Sequence, residues 1–343
     1  MKQPLVVGGP LGVARLNGNR VPHPPRPLPA PAAVSVSAEV PEPAIVVRGL
    51  GKSYGATEVL RGIDFEVHAN EVFGFLGPNG AGKTTTIEIL EGYRRRSTGD
   101  AVVLGTDPGH PSRAWRRRIG LVLQECELDP LLTVRETLSL FSSFYPSPRP
   151  VDETVELVGL AGERNARVRT LSGGQKRRLD VAVALVGDPE LLFLDEPTTG
   201  FDPSARRSAW NMIEGLRSLG KTIFLTTHYM DEAQHLSDRV AILRAGRIVA
   251  IGSPDELAEG GGDQTVISFR LPPGVGIDAV RANVHGQADV SGALVSLHAA
   301  DAQRTLYELT SWAERERVEL AGLEARRPGL EDVFLELTGD GHD

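Results

Sequence analysis

The chain of 343 residues has one cysteine, Cys126, which excludes an internal disulfide framework and a cysteine-rich zinc site. It has no surplus of positive charge: 37 Lys and Arg stand against 45 Asp and Glu, a net charge of -8. A surface built to coat nucleic acid rests on the opposite balance, so no nucleic-acid partner is expected. No apolar run approaches the ~18 uninterrupted residues of a membrane span. The candidate Val181–Val186 is broken at once by Gly187-Asp188-Pro189. The chain is therefore not expected to cross a bilayer by itself, and nothing argues for secretion. It also lacks a solenoid-type repeat and the Asn-Lys-x-Asp sequence that marks guanine-specific binding. What is present, 41% hydrophobic and 24% charged residues, fits a globular protein with an ample core. At about 150 residues per domain, the length predicts two domains.

Residues 1–43 differ from the rest. Ten of the 24 prolines lie there, six of them crowded between Pro22 and Pro31. Such a density cannot feed a strand ladder or propagate a helix, and it predicts a disordered, partly polyproline-II tail. Lys2 and the run Leu5–Ala14 mimic a signal peptide, but Pro10 and three glycines interrupt the apolar core. From Ala44 the pattern changes to short apolar runs closed by Gly or charge. Ile45–Val47 and Ile63–Val67 read as strands of a small antiparallel sheet. Glu71–Leu76, Leu191–Leu194 and Thr222–Thr226 read as buried strands, and strand–helix alternation predicts a parallel sheet wrapped by helices. Leu128–Leu185 contains no convincing strand and reads as a helical insert. Gly260-Gly261-Gly262 marks a linker. The expected plan is a tail over 1–43, a nucleotide-binding domain over 44–259 and a small α/β domain over 263–343. In the last, strands are expected over Thr265–Leu271, Ala293–Leu297 and Val318–Leu323, and helices over Ala302–Arg315 and Gly329–Leu337.

Gly77-Pro78-Asn79-Gly80-Ala81-Gly82-Lys83-Thr84 fits G-x-x-x-x-G-K-[ST] in full. It follows the strand expected over Val72–Leu76 and opens a helix expected over Thr84–Leu90, the context that the motif requires. The glycines let backbone N–H groups turn inward around phosphates, and the helix start adds a positive dipole end. Lys83 supplies a point charge for the β- and γ-phosphates, and the Thr84 hydroxyl suits Mg²⁺. Thr85 continues the same helix start and belongs to the phosphate-binding set. Leu191–Leu194 is an apolar strand that ends in Asp195 and Glu196, at the edge where open α/β sheets bind ligands. Asp195 suits the Mg²⁺ shell, and Glu196 suits a base that polarises the attacking water. His228 ends the strand expected over Thr222–Thr227, where it can bond the γ-phosphate or that water. Gln124 ends the strand-like run Ile119–Leu123 in the same way, with an amide able to meet both metal and water.

Between these elements lies Leu171-Ser172-Gly173-Gly174-Gln175. It resembles the signature of the ATP-binding cassette (ABC) ATPases, and the order of Tyr54, phosphate loop, Gln124, signature, Asp195-Glu196, Gly200-Phe201-Asp202 and His228 is similar to that family's. The resemblance covers roughly residues 44–258. It implies a P-loop nucleotide-hydrolase core with an antiparallel β subdomain and a helical subdomain, and Mg²⁺-dependent ATP hydrolysis. It implies that Tyr54 stacks on adenine. Ser172, Gly173 and Gly174 would reach the γ-phosphate of the other subunit in a head-to-tail homodimer, with Gln175 in the same motif. Asp202 would lie in the loop joining the two sites, and Gln124 would mark the contact region for a membrane partner. Phe201 replaces the Leu commonest at its place. The residues agree with such a dimer: the signature precedes a helix expected over Gln175–Leu185 and has no metal or base of its own, so it is half of an anion site.

The terminal segment Arg327-Pro328-Gly329-Leu330-Glu331-Asp332-Val333-Phe334-Leu335-Glu336-Leu337-Thr338, and Glu91-Gly92-Tyr93 followed by basic residues, resemble bacterial drug-resistance ATPases of the daunorubicin-resistance type. This implies the energy subunit of a drug or hydrophobic-metabolite exporter, held at the inner face of the cell membrane by a separate integral membrane permease. Two alternatives remain. One is a soluble ABC ATPase acting on ribosomes or DNA, against which stand the single cassette and the lack of a long coiled-coil insert. The other is an energy subunit for a different transported substrate class. Arg94–Arg96 and Arg116–Arg118 read as solvated helix faces.

Overall fold

The computed structural model describes residues 43–122, 127–260, 265–285, 287–326 and 329–338. The proline-rich residues 1–42, Gln124, Cys126 and the glycines 261 and 262 lie outside these ranges, as do Arg327 and Pro328.

β1 (Pro43–Tyr54) and β2 (Thr57–His68) form an antiparallel hairpin. Its two-residue turn needs a left-handed residue, which Gly55 supplies at φ +60°. β3 (Val72–Leu76) runs into the glycine loop and α1 (Lys83–Leu90). β4 (Thr98–Val103) returns to the free edge of β1 and completes a three-stranded antiparallel sheet, β2-β1-β4. One face of it buries Ile45, Val47, Leu50, Ile63, Phe65 and Val67. Phe65 stacks on Phe73 of β3 with ring centroids 5.7 Å apart, so the two sheets share one core.

After α2 (Arg113–Arg116) comes β5 (Ile119–Val122), followed by α3 (Val134–Ser142), α4 (Val151–Leu157), two 3₁₀ turns and α5 (Gly173–Leu185). Among the described residues no strand falls between 128 and 185, as expected of a helical insert. Thr133 with Glu136 and Ser172 with Gln175 form capping boxes, each fixing where α3 and α5 begin. β6 (Leu191–Asp195), α6 (Pro203–Ser218), β7 (Thr222–Thr227), α7 (Met230–Leu236), β8 (Arg239–Arg244) and β9 (Arg247–Gly252) complete a six-stranded sheet in the order β5-β6-β7-β3-β8-β9. Only β9 runs antiparallel. Every residue of β3, β6 and β7 is buried, which is why these strands are nearly continuous apolar runs.

α8 (Pro254–Gly260) precedes a separate four-stranded sheet. Its elements are β10 (Thr265–Arg270), α9 (Ile277–Arg281), β11 (Gln287–Ser291), β12 (Leu294–Ala299), α10 (Ala302–Glu316) and β13 (Ala321–Arg326). The order β11-β12-β10-β13, antiparallel throughout, with helices after the first and third strands, is the split βαβ arrangement of ferredoxin-like domains. Two sequence expectations shift here. β11 and α9 were not legible as elements, and the strand expected over Val318–Leu323 lies instead at Ala321–Arg326. Arg317 adopts a left-handed conformation that ends α10, and the Val318 N–H bonds to Ala313 O. Val318 and Leu320 therefore pack under the helix end and take no part in the ladder.

α11 (Leu330–Thr338) leaves this domain and lies on the cassette. Leu330 and Phe334 are buried against Leu76, Ala233, Val240 and Ile242, at the end of β3, within β8 and on α7. Asp332 holds the start of the helix in place, accepting from the Gly329 N–H at 2.7 Å and pairing with both terminal nitrogens of Arg326.

Candidate functional site

The glycine loop leaves the buried strand β3 between crowded walls. A side chain at Gly77 would meet Leu243 O at 2.5 Å, and one at Gly82 would meet Leu60 Cδ2 at 2.7 Å. Gly82, at φ +113°, is also the residue before α1, and no side chain caps that helix. A helix start left open in this way offers its first N–H groups to an external anion. Asn79, Gly80 and Thr84 are exposed beside it, with Pro78 and Thr85 half-buried and Ala81 buried. Lys83 is buried and folds back over the loop, donating to Gly77 O at 2.8 Å and Pro78 O at 3.2 Å. Burial lowers its pKa, against the pull of Glu196 and Asp195.

β6 delivers the two acids as its sequence suggests. Asp195 is buried, and its Oδ1 accepts from the Thr226 hydroxyl on β7 at 2.5 Å. Burial pushes its pKa up, with the Thr226 hydroxyl acting the other way and the Glu196 charge reinforcing the rise. Glu196 turns out of the strand at φ +45°, a conformation that costs a non-glycine residue energy and is held by its N–H bonds to Thr226. Its Oε1 lies 3.5 Å from Lys83 Nζ and its Oε2 lies 3.3 Å from His228 Nδ1. The Thr199 hydroxyl donates to Oε2 at 3.0 Å. Partial burial raises the Glu196 pKa, but Thr199, Lys83 and His228 outweigh it and hold the carboxyl below its ordinary range. Glu196 is thus an anion facing the lysine of the glycine loop, with a histidine on its other oxygen.

The expected site residues divide into two groups. Lys83, Asp195, Glu196 and His228 come together at the C-terminal ends of β3, β6 and β7. The second group lies along a groove of about 990 Å³ lined by Ser172, Gly173, Gly174, Glu196, Asp202 and their neighbours, and the glycine loop does not line it. Ser172 is exposed, and its Oγ accepts from the Gln175 N–H at 3.3 Å. Gln175 is committed to the fold: its Oε1 accepts from the Ser172 N–H and its Nε2 donates to Glu163 at 2.9 Å. Asp202 caps α6, accepting from the Ser204 and Ala205 N–H groups. Tyr54, at the end of β1, is 42% exposed, with Lys52 Nζ 4.9 Å and Arg94 Cζ 5.3 Å from its ring centre. Gln124 lies outside the described residues.

Three supporting residues escaped the sequence reading. Thr199 and Thr226 looked like ordinary loop and strand threonines, although a hydroxyl three residues beyond a candidate base is a usable signal. Arg177 stands in sequence as the middle of three basic residues, Lys176–Arg178, near the start of α5. It is buried, and it donates to Asp195 O at 2.9 Å and Pro197 O at 3.3 Å, tying α5 to the backbone of β6 and the loop after it. Neither its spacing nor its neighbours distinguishes it from Arg178.

An open helix start after a buried central strand, with acids at the end of a parallel strand one removed from it in the sheet, defines the fold as that of the P-loop nucleotide hydrolases. The comparisons narrow this class. A family model described as ABC transporter matches residues 60–199, and one described as ABC transporter domain-containing protein-like, C-terminal domain, matches residues 265–329. The chain is 43% identical over 302 residues to the Nod factor export ATP-binding protein I of Rhizobium sp. (strain N33), covering 86% of this chain and 97% of the relative. It is 39% identical over 304 residues to the daunorubicin resistance ATP-binding protein DrrA3 of Streptomyces coeruleorubidus, covering 87% and 96%. A solved structure described as an ATP binding subunit of an ABC transporter superposes with a TM-score of 0.57 at 26% identity, covering 64% of this chain and 93% of that one. The chain belongs to the ABC transporter family, as one of its ATP-binding, ATP-hydrolysing subunits.

Proposed function

We propose that two copies of this chain hydrolyse ATP head to tail and so drive a separate integral membrane permease that exports a drug or hydrophobic metabolite. The observation that carries the ATPase reading is the meeting of Lys83 and Glu196, 3.5 Å apart, at an uncapped helix start. In this reading the cassette spans 44–259, and 263–343 is an accessory domain. Residues Gly77–Thr85 cradle the triphosphate, and Lys83 exchanges the carbonyls of its own loop for the β- and γ-phosphates. Tyr54 stacks on the adenine. The donor set fits a hard cation: the Thr84 hydroxyl, the Asp195 carboxylate and the Gln124 amide are all oxygen ligands, as Mg²⁺ prefers. When bound, Mg²⁺ would supply charge neutralisation across the β- and γ-oxygens. Glu196 accepts a hydrogen bond from the attacking water, and His228 holds Glu196 on one side and meets the γ-phosphate on the other.

The signature residues line a groove that Glu196 borders and the glycine loop does not, which supports a site completed in trans, with Ser172, Gly173 and Gly174 meeting the γ-phosphate held by the partner copy. Among the described residues no helix is long and apolar enough to cross a membrane. A place at the inner face of the cell membrane therefore depends on the permease. Both curated relatives are, by name, export or resistance ATP-binding proteins, and they support export over import. The test is to look for a multi-span protein without its own cassette in a neighbouring reading frame and to co-express it with this chain. Co-purification with that protein and efflux that stops with Lys83→Ala are expected. Uptake driven by the pair, or ATP hydrolysis with no permease bound under any condition, would reject the exporter reading.

A further inference from the structure

α7 carries a carboxyl group that is 0% exposed, Glu232. A buried carboxyl persists only where donors offset its lost hydration. Its Oε1 accepts from the Thr198 hydroxyl at 2.8 Å and from Trp210 Nε1 at 3.3 Å. Its Oε2 has no partner within hydrogen-bond distance, and the Thr227 hydroxyl is a further polar group that acts on it. Burial pushes its pKa up, against these donors.

The two donors lie on separate segments, and a third, the His228 turn, leads directly into α7. Thr198 lies two residues beyond Glu196, at the start of the loop that leads to Asp202. Trp210 is on α6, the helix that Asp202 caps. Thr227 immediately precedes His228, and its hydroxyl accepts the Tyr229 N–H at 3.0 Å. Thr198 is buried, so its contact does not compete with water. From behind, α7 is fixed by Ala233, which packs with Leu330 and Phe334 of α11. One carboxyl, on a braced helix that begins two residues after His228, therefore bonds to the segments bearing Glu196 and Asp202, the groups assigned above to the water and the dimer loop.

We propose that Glu232 is a positioning residue that locks the Glu196–Asp202 loop to the His228 turn, so that the groups acting on the γ-phosphate hold one geometry. The proposal rests on the ATPase reading above. A residue of this kind shows in turnover and not in nucleotide affinity, since it touches no part of the nucleotide.

The experiment compares the full chain with Glu232→Gln, Glu232→Ala and Thr198→Val. It measures single-turnover hydrolysis at high protein concentration and the dissociation constant for Mg-ATP, well below each variant's melting temperature. Gln keeps the acceptor oxygen and the volume, and Thr198→Val removes one donor at nearly constant size. Glu232→Ala and Thr198→Val should lower the hydrolysis rate by about tenfold or more while affinity stays within about twofold, and Gln should rescue to within about threefold of wild type. Wild-type rates in all three variants would overturn the proposal, as would rates and affinity falling in step, or a Gln variant as slow as Ala. If Glu232→Ala does not fold, Thr198→Val and Gln still decide the matter. A wild-type chain that neither binds nor hydrolyses ATP would instead defeat the ATPase reading itself.

Discussion

Lys83 and Glu196 pair with each other when no phosphate lies between them, and this shapes what their substitutions do. Lys83→Ala removes a buried ammonium that faces two phosphates, so it should weaken nucleotide binding and abolish hydrolysis. Glu196→Gln keeps the shape but loses the anion, so Mg-ATP should still bind while turnover falls by ~10² or more. Phosphate-release kinetics beside equilibrium binding of a fluorescent ATP analogue would check both. Normal turnover in either variant would sink its assigned role. Glu91 makes a different prediction. It is buried at the end of α1, and burial, with the charges of Asp195 and Glu88, pushes its pKa from 4.5 to about 8. Between those two values the unfolded chain releases this proton while the folded chain keeps it. Stability from this group therefore falls as pH rises from about 4.5 to about 8. Glu91→Gln carries no such loss. Its melting temperature should gain on wild type steadily from pH 5 to pH 8, and a gap independent of pH would contradict the assignment.

At the scale of elements, α11 matters most, because it closes a part of the cassette from outside the cassette. Leu330 and Phe334 cover Leu76, which directly precedes the glycine loop, and Ala233 on α7. Leu330→Ala or Phe334→Ala should cost about 2–5 kcal/mol, the usual cost of emptying a core position. Truncation after Gly262 exposes Val240 and Ile242 as well, so the shortened chain should melt lower and aggregate. Thermal unfolding followed by circular dichroism would show this. A truncated chain that melts like the full one would mean that α11 only rests on the cassette.

The whole molecule contains one glycine loop and one signature, and the groove beside Ser172 does not include that loop. The head-to-tail reading makes a prediction about mixtures. Ser172→Arg should leave ATP binding by the single chain intact and stop turnover, as Lys83→Ala stops it from the other side. Mixed in equal amounts, half of the dimers would be heterodimers, each with one site built from two intact halves. Roughly a quarter of wild-type turnover should return. Mixtures as inactive as either variant alone would argue against completion in trans.

Much of the site was legible because phosphate chemistry constrains neighbours in sequence. A cradle of backbone N–H groups needs glycines at fixed offsets, and a strand end presents consecutive residues, as Asp195 and Glu196 show. The antiparallel sheet, the parallel sheet and the helical insert were legible from apolar runs of strand length and their absence. Other features depend on residues far apart in the chain. Whether Arg177 or Arg178 is buried is decided by the backbone of Pro197 folding over α5. Glu232 reads as one of two acids opening a helix, and only the meeting of Thr198 and Trp210 around α7 makes it a buried acceptor. The apolar face of Leu330, Val333 and Phe334 was visible in the sequence, but its partner was not. An amphipathic helix states that something covers it, and only the packing of Leu76, Ala233, Val240 and Ile242 decides that the cassette itself does.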